Sequence, residues 1–374
     1  MRLPVRILHV LGRLDRGGAE TMIMDLYRNV DRSKIQFDFV IHTNDTCEYS
    51  EEIYELGGKI YNVPRYNGKN HIKYKKAWNL LFSQHPEYKI VHGHVRSTAA
   101  IYLNIAKKYG LITIAHSHSI ASRGNKVEQL VKNTLQLPIR YIADYMFACS
   151  EDAGEWLFGK RVKNNRNFYI IKNAIDIKNF TFDKCIRKKV RDLYTLNGRF
   201  VIGHVGNFTA PKNHMFLLEV FFIVQKSNEN TTLILIGDGE LREQIKNRAK
   251  NLGINEKVII AGSKDNVNEF LQSMDLFLFP SLFEGLGMAV VEAQAAGLPC
   301  IISDNVPDAV MLTELVEKKT LNSPKKWANA ILNMSKIERK NPDNVLKEHG
   351  YDIKLQAKQL EEKYVKILNT KSNI

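Results

Sequence analysis

Glu284 and Glu292 flank seven residues in DLFLFPSLFEGLGMAVVEAQAAGLPCIISD, a run that reads as strand, glycine-bearing loop, helix, then Gly297 as the helix stop and another strand. Gly285 and Gly287, on either side of Leu286, leave backbone N–H groups at a helix N-terminus unshielded, an anion site suited to a diphosphate. Glu292 comes about five residues into that helix, so at about 1.5 Å per residue it stands roughly 7.5 Å beyond the amides, about one ribose away. A carboxylate there can accept hydrogen bonds from vicinal hydroxyls. Glu284, on the other side of the cradle, can face a sugar attached to the distal phosphate, so the pair would bracket a nucleotide diphosphate sugar. Singly, Glu284 reads equally as a loop carboxylate and Glu292 as a solvated helix residue. Together they favour a site, because an unpaired charge is costly inside MAVVEAQAA, an almost wholly apolar helix. A glycosidase pair of carboxylates is the rival chemistry, and the adjoining phosphate cradle disfavours it.

Lys212 in GHVGNFTAPKNH follows a glycine-ended strand, where an ammonium can neutralise phosphate charge; a solvated surface lysine is the plain alternative. Gly237 and Gly239 in GDGE sit at another strand end and read as a nucleotide-site turn. Gly17 and Gly18 in LGRLDRGGAE fall in the loop between the first strand and the helix TMIMDLYRNV, where an ordinary turn is again the alternative. The GxGxxG that nicotinamide binding needs is missing there, which disfavours a dehydrogenase. His92, His94, His116 and His118 form two H-x-H pairs on strand ends, and their same-face spacing could in principle hold a metal. Acidic ligands of matching spacing are absent, so neither a metal nor any other cofactor is expected.

The elements that must carry these residues follow from the pattern. A chain of 374 residues has room for two to three domains with their own cores. Hydrophobic residues at 44% and charged residues at 25% exclude a disordered, collagen-like or coiled-coil chain. Apolar runs alternate with helical segments, as in βαβ units with parallel sheets: VRILHVLG, FDFVIHT, KIYNV, KIVHGH, ITIAHSH and YMFACS, then FVIGHVGN, TTLILIGDG, KVIIAG, DLFLFPS and LPCIISD. Their polar carboxyl ends are where open α/β sheets place ligands. Between the two sets, FDKCIRKKVRDLYTLNGR is basic and irregular and reads as a linker. At the end, Ile353, Leu360, Tyr364 and Ile367 recur at helical spacing and predict a helix lying on a surface by one apolar stripe.

The series RGGAE, IAHSH, NAID, GHVGNFTAPKNH, GDGE and EGLGMAVVE resembles, in that order and over nearly the whole chain, the retaining GT-B glycosyltransferases of family 4, most of all the bacterial exopolysaccharide and capsule members. The resemblance implies an α/β chain of two Rossmann-like doubly wound domains facing a cleft. An acceptor domain would span 1–180, a linker 181–198, a nucleotide-sugar donor domain 199–349, and a helix over 350–374 would cross back to the first domain. Carried over, Glu284 contacts the donor sugar hydroxyls, Glu292 the ribose and Lys212 the diphosphate. His116 orients the donor sugar through its imidazole or its carbonyl, and the Gly17–Gly18 loop meets the donor phosphates and the acceptor. The family commonly has Arg where this chain has Asn207, so stabilisation of the leaving diphosphate falls more heavily on Lys212 and backbone amides; Arg13 and Arg16 are candidates to compensate. The implied activity moves a hexose or N-acetylhexosamine, with retention, from a nucleotide diphosphate sugar, a UDP-sugar in the first instance, to a glycan acceptor, polyprenyl-diphosphate-linked. A non-hydrolysing nucleotide-sugar epimerase and a non-catalytic partner subunit are the alternatives.

Lys plus Arg is 54 and Asp plus Glu 40, giving a formal charge of +14, which predicts an anionic partner. NGKNHIKYKKAWNLLF and SRGNKVEQLVKNTLQLPIRYI interleave Lys and Arg with Leu, Ile, Trp and Tyr, as a helix on an anionic membrane surface does; solvated helix faces are the alternative. No nucleic-acid motif accompanies the charge. The N-terminal apolar stretch is broken at Arg13, Asp15 and Arg16 before a signal-peptide core forms, and MFLLEVFFIV is about half a membrane span. Four cysteines without a CxxC pair fit a reducing compartment. The expected place is the cytoplasmic face of the cell membrane, with other polysaccharide-assembly enzymes as further partners.

Overall fold

Parallel strands covered on both faces have no solvent side, so their sequences run apolar without alternation. The computed structural model describes residues 3–119, 126–334, 339 and 342–372. The chain divides into two compact units, Met1–Ala174 with Gly350–Ile374, and Ile175–His349. The first carries β1 (Val5–Val10), β2 (Ile35–Ile41), β3 (Ile60–Asn62), β4 (Ile90–Gly93), β5 (Ile112–Ser117), β6 (Tyr145–Ala148) and β7 (Phe168–Ile170), in the spatial order β3-β2-β1-β4-β5-β6-β7. The second carries β8 (Phe200–Val205), β9 (Thr231–Ile236), β10 (Val258–Gly262), β11 (Leu276–Phe279), β12 (Cys300–Ser303) and β13 (Val316–Lys319), in the order β10-β9-β8-β11-β12-β13. Every neighbouring pair is parallel. The order reverses beside β1 in one sheet and beside β8 in the other, the switch points at which doubly wound sheets bind ligands.

Both units are thus Rossmann-like, and the apolar runs read from the sequence are their strands. Two further strands, β7 and β13, were not anticipated. Both are short sheet edges: Phe168–Ile170 is only half-buried, and Val316–Lys319 reads VEKK, charged where an edge meets water.

Residues 181–198, expected as a linker, fold instead as part of the second unit. Asp183 caps the helix Lys184–Leu193 by accepting from the Cys185 and Ile186 amides at 2.6 and 3.0 Å. From that helix, Arg187 and Arg191 reach the Asp275 carboxylate at 2.5 and 3.2 Å, just ahead of β11. The basic composition that suggested a loop is an internal ion-pair set.

The last helix, Ile353–Ser372, belongs to the first unit and packs on Gly18–Asn29. Ile353, Leu360, Tyr364 and Ile367 are all buried, as their spacing predicts, at about 1.5–3 kcal/mol of transfer free energy each. Among the described residues, no helix is long and apolar enough to cross a membrane. All four cysteines are free thiols.

Candidate active site

The second sheet gathers most of the expected site residues at the carboxyl ends of three adjacent strands. β8 and β9 are neighbours, so the loops that follow them meet backbone to backbone: the Gly206 amide donates to the Ile236 carbonyl and the Phe208 amide to the Asp238 carbonyl, both at 2.9 Å. A Cβ on Gly237, whose φ is +139°, would stand 2.1 Å from the Gly206 carbonyl oxygen. On Gly239 it would stand 2.7 Å from the Phe208 carbonyl oxygen. The glycines of GDGE are therefore required by the packing of these two loops.

β11 lies on the other side of β8, and its loop closes over the same strand end. The Leu282 amide donates to the Pro211 carbonyl at 2.8 Å, and Lys212 Nζ stands 2.6 Å from Glu284 Oε1. Lys212 is also 4.7 Å from the centroid of the Phe279 ring, a cation–π contact. The Lys212 side chain is 21% and the Glu284 side chain 10% exposed, so the pair is largely withdrawn from water. His204 and His214 lie nearby, buried and neutral. Burial lowers both, His214 to about 4 with Lys212 adding to the shift.

Past Glu284 the chain opens. A Cβ on Gly285 would meet nothing within 4 Å, which leaves the backbone bare where a ligand must approach it. Gly287, left-handed at φ +93° and ψ +50°, starts the helix Met288–Ala295. That helix is buried at Val290, Val291, Ala293, Gln294 and Ala295, while Glu292 is half-buried among them. Gln294 anchors it from within, donating to the Val310 carbonyl at 2.7 Å and accepting from the Thr313 amide at 3.0 Å. A helix pinned on nearly every side holds its N-terminal amides in a fixed direction. Asn207, in place of the expected arginine, is exposed at the end of β8.

The remaining expected residues lie in the first unit. Gly17 precedes the helix Gly18–Asn29, and the Glu20 carboxylate folds back so closely that a Cβ on Gly17 would stand 2.3 Å from Glu20 Oε2. This N-terminus thus already faces a carboxylate. Arg13 pairs with Asp15 and Asp45 at 2.5 and 2.7 Å, and Arg16 with Glu48 at 3.3 Å. Both arginines proposed to stand in at position 207 are engaged within this unit.

His116, at the end of β5, is 1% exposed and belongs to a group of five imidazoles with His9, His92, His94 and His118. Its Nδ1 is 3.1 Å from His92 Nε2, and its Nε2 has no hydrogen-bond partner. His9, on β1, was not singled out in the sequence, and neither was Phe279; the H-x-H alternation marks β4 and β5, but nothing local marks β1 as their neighbour. A cavity of about 750 Å³ also occurs in this unit, but it is lined by Lys107, Ile112, Asp144 and Arg166 at the amino ends of the strands, away from these residues.

Residues 16–179 match the family model Glycosyltransferase Family 4, and residues 187–352 match Glycosyl transferases group 1. EpsF of Bacillus subtilis (strain 168), named as a glycosyltransferase, is 33% identical over 362 residues, 93% of each chain. The chain belongs to glycosyltransferase family 4. It is also 26% identical over 227 residues, 58% of each chain, to the UDP-Gal:alpha-D-GlcNAc-diphosphoundecaprenol alpha-1,3-galactosyltransferase of Escherichia coli. Among solved structures, Anabaena HepE in complex with UDP and glucose superposes with a TM-score of 0.75 over 96% of this chain and 99% of its own, at 17% identity, a likeness of fold. The two Rossmann-like units of this family 4 glycosyltransferase are those of the GT-B fold, and Lys212, Glu284 and Glu292 all lie in the unit matched by the group 1 model.

Proposed function

We propose that this glycosyltransferase moves a hexose or N-acetylhexosamine from a UDP-sugar, with retention of configuration, to a polyprenyl-diphosphate-linked glycan during exopolysaccharide or capsule assembly. The observation that carries the reading is the Lys212–Glu284 pair at 2.6 Å beside the bare backbone of Gly285, at the start of the helix Met288–Ala295. The donor diphosphate lies against those amides and Lys212, whose three N–H groups can serve a phosphate oxygen while still holding Glu284. Glu284 then accepts from the sugar hydroxyls, and Glu292, one and a half turns along the helix, accepts from the ribose. The turns at Gly206–Phe208 and Gly237–Gly239 line the same strand ends and receive the rest of the nucleotide.

In the reaction the bond from the anomeric carbon to the diphosphate oxygen breaks as the acceptor hydroxyl oxygen attacks from the same face. The acceptor's proton passes to the departing diphosphate, and the sugar is oxocarbenium-like between. Lys212 and the fixed amides stabilise charge as it develops on the leaving group, which is where electrostatic catalysis acts. The UDP donor and lipid-linked acceptor are supported by the galactosyltransferase relative, whose name specifies both.

The enzyme acts at the cytoplasmic face of an anionic membrane. Helix Lys126–Gln136 and the short helix Ile139–Ile142 that follows it, with Leu137 between them, expose Leu130, Val131, Leu137 and Tyr141, and helix His71–Gln84 exposes Ile72 and Leu80 among Lys73, Lys75 and Lys76. Apolar side chains set among lysines suit acidic headgroups.

The test is nucleotide release across a panel of UDP-, GDP- and ADP-sugars, with and without lipid-linked acceptor. Acceptor-dependent UDP release is the expected result. Isomerisation of the donor without acceptor would identify an epimerase, and no turnover with any donor would identify a non-catalytic subunit.

A further inference from the structure

We propose that His94, His116 and His118 form a binding site for one late first-row divalent metal ion, zinc or its congener cobalt, at the carboxyl edge of the first sheet. The sequence argued against a metal because no acidic residues match the histidine spacing. The fold removes that objection by bringing the two H-x-H pairs together, so that three imidazoles converge, and three histidines are a complete protein ligand set for zinc.

The strand order brings them together. β1, β4 and β5 are adjacent, with His9 beside His92 in register, so the imidazoles of three strand ends share one face. One nitrogen from each of His94, His116 and His118 lies within 4.8 Å of the others. His9, His92 and His94 meet the same distance test, but that group is fully enclosed. His92 also has no nitrogen to spare: its Nδ1 meets the Tyr364 hydroxyl at 2.6 Å and its Nε2 meets His116.

In the proposed triad two of the three second nitrogens, those of His94 and His116, are held from outside. His94 Nε2 is 3.0 Å from His9 Nδ1, and His116 Nδ1 is 3.1 Å from His92 Nε2. Outer contacts of this kind fix the tautomer and ring plane of a metal ligand. They turn His94 Nδ1 and His116 Nε2 towards metal duty. The first now stands 2.7 Å from His118 Nε2, and the second is buried without any partner. Two nitrogens bound to one tetrahedral zinc stand about 3.4 Å apart, so His118 must draw back from His94 by less than about 1 Å and turn out of its stack on His116, whose ring centroid is 4.0 Å away at 28°. His118 is also the least buried member, so an ion would enter from its side. Neutral imidazoles select zinc, cobalt, nickel or copper over magnesium, calcium or manganese. Among the described residues no carboxylate joins the cluster, so the fourth ligand is water or an anionic oxygen. On this proposal His116 acts at the metal and not by a direct hydrogen bond to a sugar hydroxyl. The site stands apart from the donor reading above.

The experiment uses the full chain, stripped with a chelator, dialysed and titrated with cobalt(II) alone. Visible d–d bands should saturate at one equivalent and be bleached by zinc. His118→Gln replaces the least buried ligand and should weaken cobalt binding by more than about 100-fold, beyond the 10–100-fold typical of an outer-shell change, which is the range for His9→Gln. His94→Gln should abolish the bands. Thermal melting of each metal-free variant identifies any that fails to fold, and His118→Gln, altered at the least buried position, then decides alone. Absence of cobalt bands and of retained zinc in the wild-type protein, or unchanged cobalt affinity in a folded His118→Gln, would overturn the proposal and leave the imidazoles as a hydrogen-bonded chain.

Discussion

Replacing Lys212 and Glu284 by alanine, singly and together, separates an ion pair that serves the fold from one that serves catalysis. Their 2.6 Å approach corresponds to a gross attraction of about 6 kcal/mol at an effective dielectric near 20, most of it offset by desolvation of side chains only 21% and 10% exposed. Either single change strands one charge in a site shaped for two. The expected loss of stability is about 1–3 kcal/mol, below the value for a fully buried pair because both groups keep some water. The double change leaves no charge unpaired, so the melting temperature should return close to that of the parent. Turnover should behave differently. Each single variant should lose about 10²–10³-fold in kcat, or about 2.7–4 kcal/mol of transition-state stabilisation, and the double variant should regain none of it. The assays are differential scanning calorimetry and UDP release at saturating donor and acceptor. Recovery of turnover alongside stability in the double variant, or more than a tenth of parental turnover in Lys212→Ala, would show that the pair is structural and that the diphosphate is held elsewhere.

Other changes test the surrounding parts. Glu292→Gln should weaken UDP binding by about tenfold in calorimetric titration while kcat stays within a few-fold, because it removes an acceptor for ribose hydroxyls without touching the leaving group. Gly237→Ala forces a Cβ to within 2.1 Å of the Gly206 carbonyl oxygen at a φ of +139°, so the two loops must separate; UDP affinity should fall more than tenfold in the same titration. Asp275→Asn removes the carboxylate that Arg187 and Arg191 share, beside an Arg339 whose pKa burial already lowers to about 9. Urea unfolding of that variant should show a loss of about 2–4 kcal/mol at an unchanged m-value. Tyr364→Phe leaves His92 Nδ1 buried without its 2.6 Å partner and should cost about 1–3 kcal/mol in the same measurement.

What could be read from the sequence was whatever a short window contains. β8, β9 and β11 announce themselves because β9 and β11 are buried along their length and β8 at all but its two end residues, and the strand, loop and helix around Glu284 and Glu292 lie within thirty consecutive residues. Tertiary pairing was out of reach by the same logic. Arg187 and Arg191 fell in a stretch that read as a basic linker because their partner, Asp275, comes more than eighty residues later. The edge strand Val316–Lys319 has one buried residue, Val316, and three charged side chains, which locally is indistinguishable from a loop. The histidines carry the point furthest. Alternation within β4 and β5 is visible and places His92 with His94, and His116 with His118, on one face each. Whether the two faces coincide depends on β5 lying next to β4 in register, and whether β1 adds His9 to them depends on β1 lying on β4's other side, strands separated by β2, β3 and their helices. Since parallel strands need long crossovers, side chains that meet in such a sheet are distant in sequence by construction. Spacing can therefore nominate ligands strand by strand, but only strand order decides whether they converge.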